Sequence, residues 1–101
     1  MVTKVLERDL ERHFSAECKR LKITSIKLHL KFSTGYPDRL VVLPFNKVLW
    51  IELKTLTGKL SARQEHIHML LRLHHHCVLV LRTKEEITNA LEATRVPNKS
   101  N

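Results

Sequence analysis

Near the start of the chain Leu6, Leu10, Phe14 and Leu21 recur at near-helical spacing with charged residues between them. This predicts an amphipathic helix over Val5 to Leu21. The period then changes. Ile26-Lys27-Leu28-His29-Leu30-Lys31-Phe32 alternates apolar and polar, the mark of a half-buried strand with Lys27, His29 and Lys31 on its polar face. A loop over Ser33 to Pro37 leads to a second strand at Leu40 to Leu43. Pro44-Phe45-Asn46 interrupts it, and Lys47 to Lys54 forms a third. Ser61-Ala62-Arg63-Gln64 has the form of a capping box, opening a helix that buries Ile67, Leu70 and Leu71 and ends near His74. Cys77 to Leu81 is a continuous apolar run, as in a strand covered on both faces. Thr83-Lys84-Glu85-Glu86 is a second capping box, opening a last helix with Ile87, Ala90 and Leu91 inward. The predicted order is α-β-β-β-α-β-α. It describes an α/β (α+β) fold in which an antiparallel three-stranded unit is followed by a right-handed crossover to a fourth strand, with helices flanking a mixed sheet.

The second and third strands carry the chemistry, and their register decides it. A three-residue loop at Pro44-Phe45-Asn46 pairs residues whose numbers sum to 90, and Asn46 tolerates the left-handed backbone such loops need. Asp38 then lies opposite Glu52 on one face of the sheet. A slip of one residue would send the two carboxylates to opposite faces.

Composition narrows the partners. The chain of 101 residues makes one domain, taken as residues 1–95 with a flexible tail over 96–101. Lys and Arg number 18 against 10 Asp and Glu, a net charge of +8 that favours nucleic acid or another anionic surface. No apolar run is long enough to span a membrane, and Met1-Val2-Thr3-Lys4 leads into charged sequence rather than a secretory signal. A cytoplasmic protein is expected, with Cys18 and Cys77 as reduced thiols. His74-His75-His76 lacks the paired spacing of a closed zinc site, and histidines at a helix C-terminus suit the helix dipole.

Strand alternation places Glu52 and Lys54 on one face, where the chosen register adds Asp38. The two carboxylates and the Leu53 carbonyl are hard oxygen donors suited to Mg²⁺ or Mn²⁺. Lys54 beside them can position a water for attack on a phosphodiester. Arg39, next to Asp38, either meets a phosphate or covers the hairpin.

These residues stand in a longer pattern. Gly35-Tyr36-Pro37-Asp38-Arg39, Glu52-Leu53-Lys54, and Gly58-Lys59-Leu60-Ser61 with Gln64 resemble the virus-type replication-repair nuclease (VRR-NUC) domain of the PD-(D/E)-x-K superfamily. The resemblance spans roughly Leu6 to Glu86 and implies an α-β-β-β-α-β core. It implies Asp38 and Glu52 as metal ligands with the Leu53 carbonyl, Lys54 as the catalytic lysine, and Gln64 as an active-site residue, a position that capping alone also explains. From the first helix it adds a glutamate near the metal, Glu7 as the better match and Glu11 as the alternative. Lys31, Arg39, Lys59 and Arg63 are the expected DNA contacts. The activity implied is that of a Mg²⁺- or Mn²⁺-dependent endonuclease with no small-molecule cofactor. A homodimeric resolvase of branched, four-way DNA is the leading form. A flap- or nick-processing nuclease, or a catalytically idle nucleic-acid-binding module on the same fold, is the alternative. A phage-encoded member would act in the host cytoplasm.

Overall fold

Each change of hydrophobic period in the sequence becomes a change of element. The computed structural model describes residues 4–29 and 34–95. Helix α1 spans Glu7–Leu21, and strands β1, β2 and β3 span Thr24–Lys27, Arg39–Leu43 and Lys47–Leu53. Helix α2 spans Ala62–Leu73, β4 Cys77–Leu81 and α3 Lys84–Ala93. One mixed sheet runs in the order β1-β2-β3-β4. The first three strands are antiparallel, and β4 returns parallel to β3 after the crossover through α2.

The turns follow local chemistry. Leu43 pairs with Lys47 and Arg39 with Ile51, the register expected from a three-residue loop. Asn46 is left-handed at φ 61°, and so is Phe45 at φ 62°, although its side chain is 86% exposed. Helix α2 begins with a full capping box: the Gln64 N–H donates to Ser61 Oγ at 3.1 Å, and the Ser61 N–H donates to Gln64 Oε1 at 2.9 Å. At α3 the box is incomplete. Thr83 Oγ1 accepts from the Glu86 N–H at 3.0 Å, but Glu86 Oε1 reaches past Thr83 to the Arg82 N–H at 2.7 Å.

The core lies on one face of the sheet. Odd-numbered Val41, Ile51, Leu53 and Leu81 pack with Leu10, Phe14 and Cys18 of α1 and with Ile87 and Leu91 of α3. On the other face, among the described residues, α2 packs over β4 and the end of β3, with Ile67, His68 and Val78 buried.

Three expectations change here. Strand β1 is Thr24–Lys27, and the alternating segment beyond His29 lies outside the described residues. Ile26 is 46% exposed, on the face where α2 packs chiefly against β4 at the other side of the sheet. On α2, Leu70 is exposed and His68 takes the inward position beside Ile67.

Candidate active site

Asp38, Glu52 and Lys54 come together where β2 begins and β3 ends. Main-chain bonds fix Asp38 and Lys54, and strand pairing fixes Glu52 opposite Val80 of β4. The Leu28 N–H donates to the Asp38 carbonyl at 2.6 Å, and the Lys54 N–H donates to the Leu81 carbonyl at 3.1 Å. Arg39 pairs with Ile51, so the next rung outward sets Asp38 beside Glu52.

Glycine is required in the loop that delivers Asp38. Gly35 has φ +94°, and a Cβ there would stand 2.8 Å from Arg63 Cγ and 2.9 Å from the Arg63 carbonyl oxygen. The Arg63 guanidinium in turn donates from Nε to the Thr34 carbonyl at 2.9 Å. The loop is thereby fastened to the first turn of α2. Gly35→Ala should cost at least about 2 kcal/mol, since the backbone oxygen has no room to yield and the conformation itself is unfavourable for a side chain. For a domain of this size that lowers the melting temperature by roughly 10 °C. An unchanged melting temperature in calorimetry would show that the loop does not depend on the glycine.

Glu52 is only 7% exposed, and its Oε1 is sealed from solvent without a hydrogen-bond partner. Burial, and then the charge of Asp38, push its carboxyl up to about 7. Lys54 pulls in the opposite direction, and Glu7 adds a smaller upward push. Glu7 therefore belongs to the electrostatic surroundings of Glu52, whereas Glu11 faces Arg39, with Oε1 3.9 Å from Nη2.

The remaining expected site residues divide. Gln64 uses its side-chain oxygen in the α2 cap, which leaves the amide nitrogen for any other role. Lys59 and Arg63 are exposed. Lys31 lies outside the described residues. Arg39 differs from expectation: it is 8% exposed, with its guanidinium carbon 5.3 Å from the Phe14 ring centroid beneath α1. Adjacent strand residues face opposite ways, so the register that turns Asp38 toward Glu52 turns Arg39 into the core. Arg39 is consequently a core cation rather than a surface contact for DNA.

Sequence reasoning gave no role to His68. It is 1% exposed, and its Nε2 lies 3.7 Å from Glu52 Oε1. Its signal was positional: it falls one helical turn after Gln64, on the face of α2 that meets the sheet. Aromatic side chains border the same region. Trp50 lies two residues before Glu52, and its ring centroid is 6.1 Å from those of both Tyr36 and His76.

Among the described residues no three His, Cys, Asp or Glu side chains stand together as a ready-made metal centre. The donor set nevertheless fits a hard divalent cation, because Mg²⁺ characteristically takes one or two carboxylates and completes its shell with water and substrate phosphate. Asp38, Glu52 and the Leu53 carbonyl are of that kind. A desolvated carboxylate with a like charge beside it is the environment such a cation would relieve.

Comparison with known proteins bears on the chain as a whole. No family model matches the chain. It is 30% identical over 81 residues to "Putative nuclease p44" of Acyrthosiphon pisum secondary endosymbiont phage 1, covering 80% of this chain and 87% of that protein. Two solved structures share the fold. One, described as "VRR_NUC domain", has a TM-score of 0.76 at 22% identity, over 88% of this chain and 97% of its own. The other, "VRR_NUC domain protein", has a TM-score of 0.77 at 15% identity, over 91% and 89%.

Proposed function

Because the chain belongs to the VRR_NUC family of nuclease domains, we propose that it is a Mg²⁺- or Mn²⁺-dependent DNA endonuclease, acting as a homodimer that resolves four-way junctions. The observation that carries the reading is the buried Glu52 carboxylate, with its raised pKa, between Asp38 and Lys54. Structural ion pairs rarely place two acids beside one another with one of them desolvated; sites that hold cations do.

Asp38 and Glu52 would hold the ion with the Leu53 carbonyl, and Glu7 adds negative charge from α1. When bound, the ion supplies Lewis acidity toward the scissile phosphate and acidifies water. Lys54 orients the attacking water and offsets the charge that develops on the phosphate. Lys59 and Arg63, exposed near the start of α2, are suited to the flanking phosphates.

Two features support a dimer on branched DNA. Ile26 and Val42 are 46% and 43% exposed on the open half of the sheet, apolar surface that a second copy would cover. The net charge of +8 would double in a pair and form a larger basic surface, with two sites for paired cuts.

The deciding assay is cleavage of a labelled four-way junction with Mg²⁺, with Mn²⁺ and with chelator, beside duplex, nicked and flap DNA of the same sequence. Paired nicks in the junction that vanish with chelator are expected. Preference for flaps would keep the nuclease and move its role to flap processing. Binding without cleavage of any substrate would leave an idle nucleic-acid-binding module.

A further inference from the structure

Behind the candidate site sits a buried histidine that the proposed chemistry does not use. His68 is 1% exposed, and neither ring nitrogen has a hydrogen-bond partner. Facing it at 3.7 Å is Glu52 Oε1, also sealed and also without a partner. Leaving such groups unpaired costs on the order of 1–3 kcal/mol each, so three polar atoms around one contact are an expensive arrangement. An apolar residue at position 68 would avoid much of that cost, and α2 already offers Ile67 to the sheet.

A neutral imidazole carries one N–H donor and one acceptor, and His68 turns its Nε2 toward Glu52. A neutral imidazole adds no net charge beside Glu52, unlike a lysine or arginine there, which would compete with a bound cation. The 3.7 Å separation exceeds a hydrogen bond by less than about 1 Å. An ionised carboxylate facing an N–H closes that gap readily, since a charge-assisted bond is about twice as strong as a neutral one.

We propose that His68 is a positioning residue: its Nε2–H holds Oε1 of ionised Glu52, fixing the carboxylate so that Oε2 is the oxygen offered to the divalent cation. The inference rests on the proposed metal-dependent reading of Asp38 and Glu52. It assigns α2 a task beyond covering the sheet, which is to orient a ligand from behind as outer residues do in metal sites.

Calorimetric titration of the full chain with Mn²⁺ tests it, together with melting temperatures measured without metal. His68→Leu removes two unpartnered nitrogens and is expected to melt at or above the parent, yet to bind Mn²⁺ about 10–100-fold more weakly. His68→Gln carries a donor about as far out as Nε2 and is expected to recover most of the affinity. His68→Asn, whose amide reaches only to about Nδ1, should remain weak. If His68→Leu does not fold, the contrast between Gln and Asn decides the question. Parental affinity in His68→Leu, or equal affinity in the Gln and Asn variants, overturns the positioning role. Asp38→Asn separates this from the reading beneath it. Its loss of Mn²⁺ binding keeps the cation site even where His68 proves idle, whereas a parent that binds no Mn²⁺ overturns both.

Discussion

Glu52→Gln is expected to melt at a higher temperature than the parent above pH 7 in the absence of divalent ions, and to cleave DNA at least about a thousandfold more slowly. The substitution keeps the shape of the side chain and removes a buried charge. In the parent that charge faces Asp38 from β2 and Glu7 from α1, with Lys54 as the compensating cation and the neutral ring of His68 behind. The folded-state pKa of about 7 lies above the ordinary 4.5, so the native protein holds this proton more tightly than the unfolded chain. The contribution to stability is complete below about pH 4.5 and is lost as pH rises through about 7. The parent should therefore lose melting temperature relative to the variant between pH 5 and pH 8. Paired melting curves in chelator check this, and a difference that does not change with pH would contradict the assigned burial. The activity loss has a separate origin. A bound cation contributes several kcal/mol of charge stabilisation in the transition state, and removing one ligand charge forfeits much of it. With Mn²⁺ present at pH 8 the parent should gain melting temperature and Glu52→Gln should not.

Lys54→Ala should lower the cleavage rate by roughly 10²–10⁴-fold while DNA affinity changes little. The lysine main chain is anchored to Leu81, so the backbone at the end of β3 survives loss of the side chain. Its ammonium is one of 18 Lys and Arg charges, and removing it should change the salt dependence of binding by at most about one phosphate contact. Single-turnover cleavage and filter binding at several salt concentrations separate the two effects. A variant that cuts at the parental rate would remove Lys54 from the chemistry. One that loses affinity and rate in proportion would make it a DNA contact instead.

The relation between Asp38, Glu52 and Lys54 is legible in the sequence because strand geometry is short-ranged. Alternation puts residues 52 and 54 on one face, and the length of the Pro44-Phe45-Asn46 loop sets the pairing that adds residue 38. The caps Ser61 and Thr83 mark the starts of α2 and α3 for the same reason, each accepting from the N–H three residues on, although only α2 has the full box. Arg39 departs from the expected DNA contact because the same alternation turns it away from Asp38 and into the core.

What the sequence determined by itself was the order of elements, the register of the hairpin and the shared face of its two carboxylates. All of these follow from interactions along the chain or across one tight turn. Only the tertiary structure brought the charge of Glu7 to bear on Glu52 and set Glu11 against Arg39, since both depend on how α1 crosses the sheet. It also decided that Arg63 closes over Gly35 and that Leu70 yields the inner face of α2 to His68. The raised pKa of Glu52 belongs to this second group. A carboxylate acquires it through burial in the folded chain and through the charges of Asp38 and Glu7, neither of which is near it in sequence.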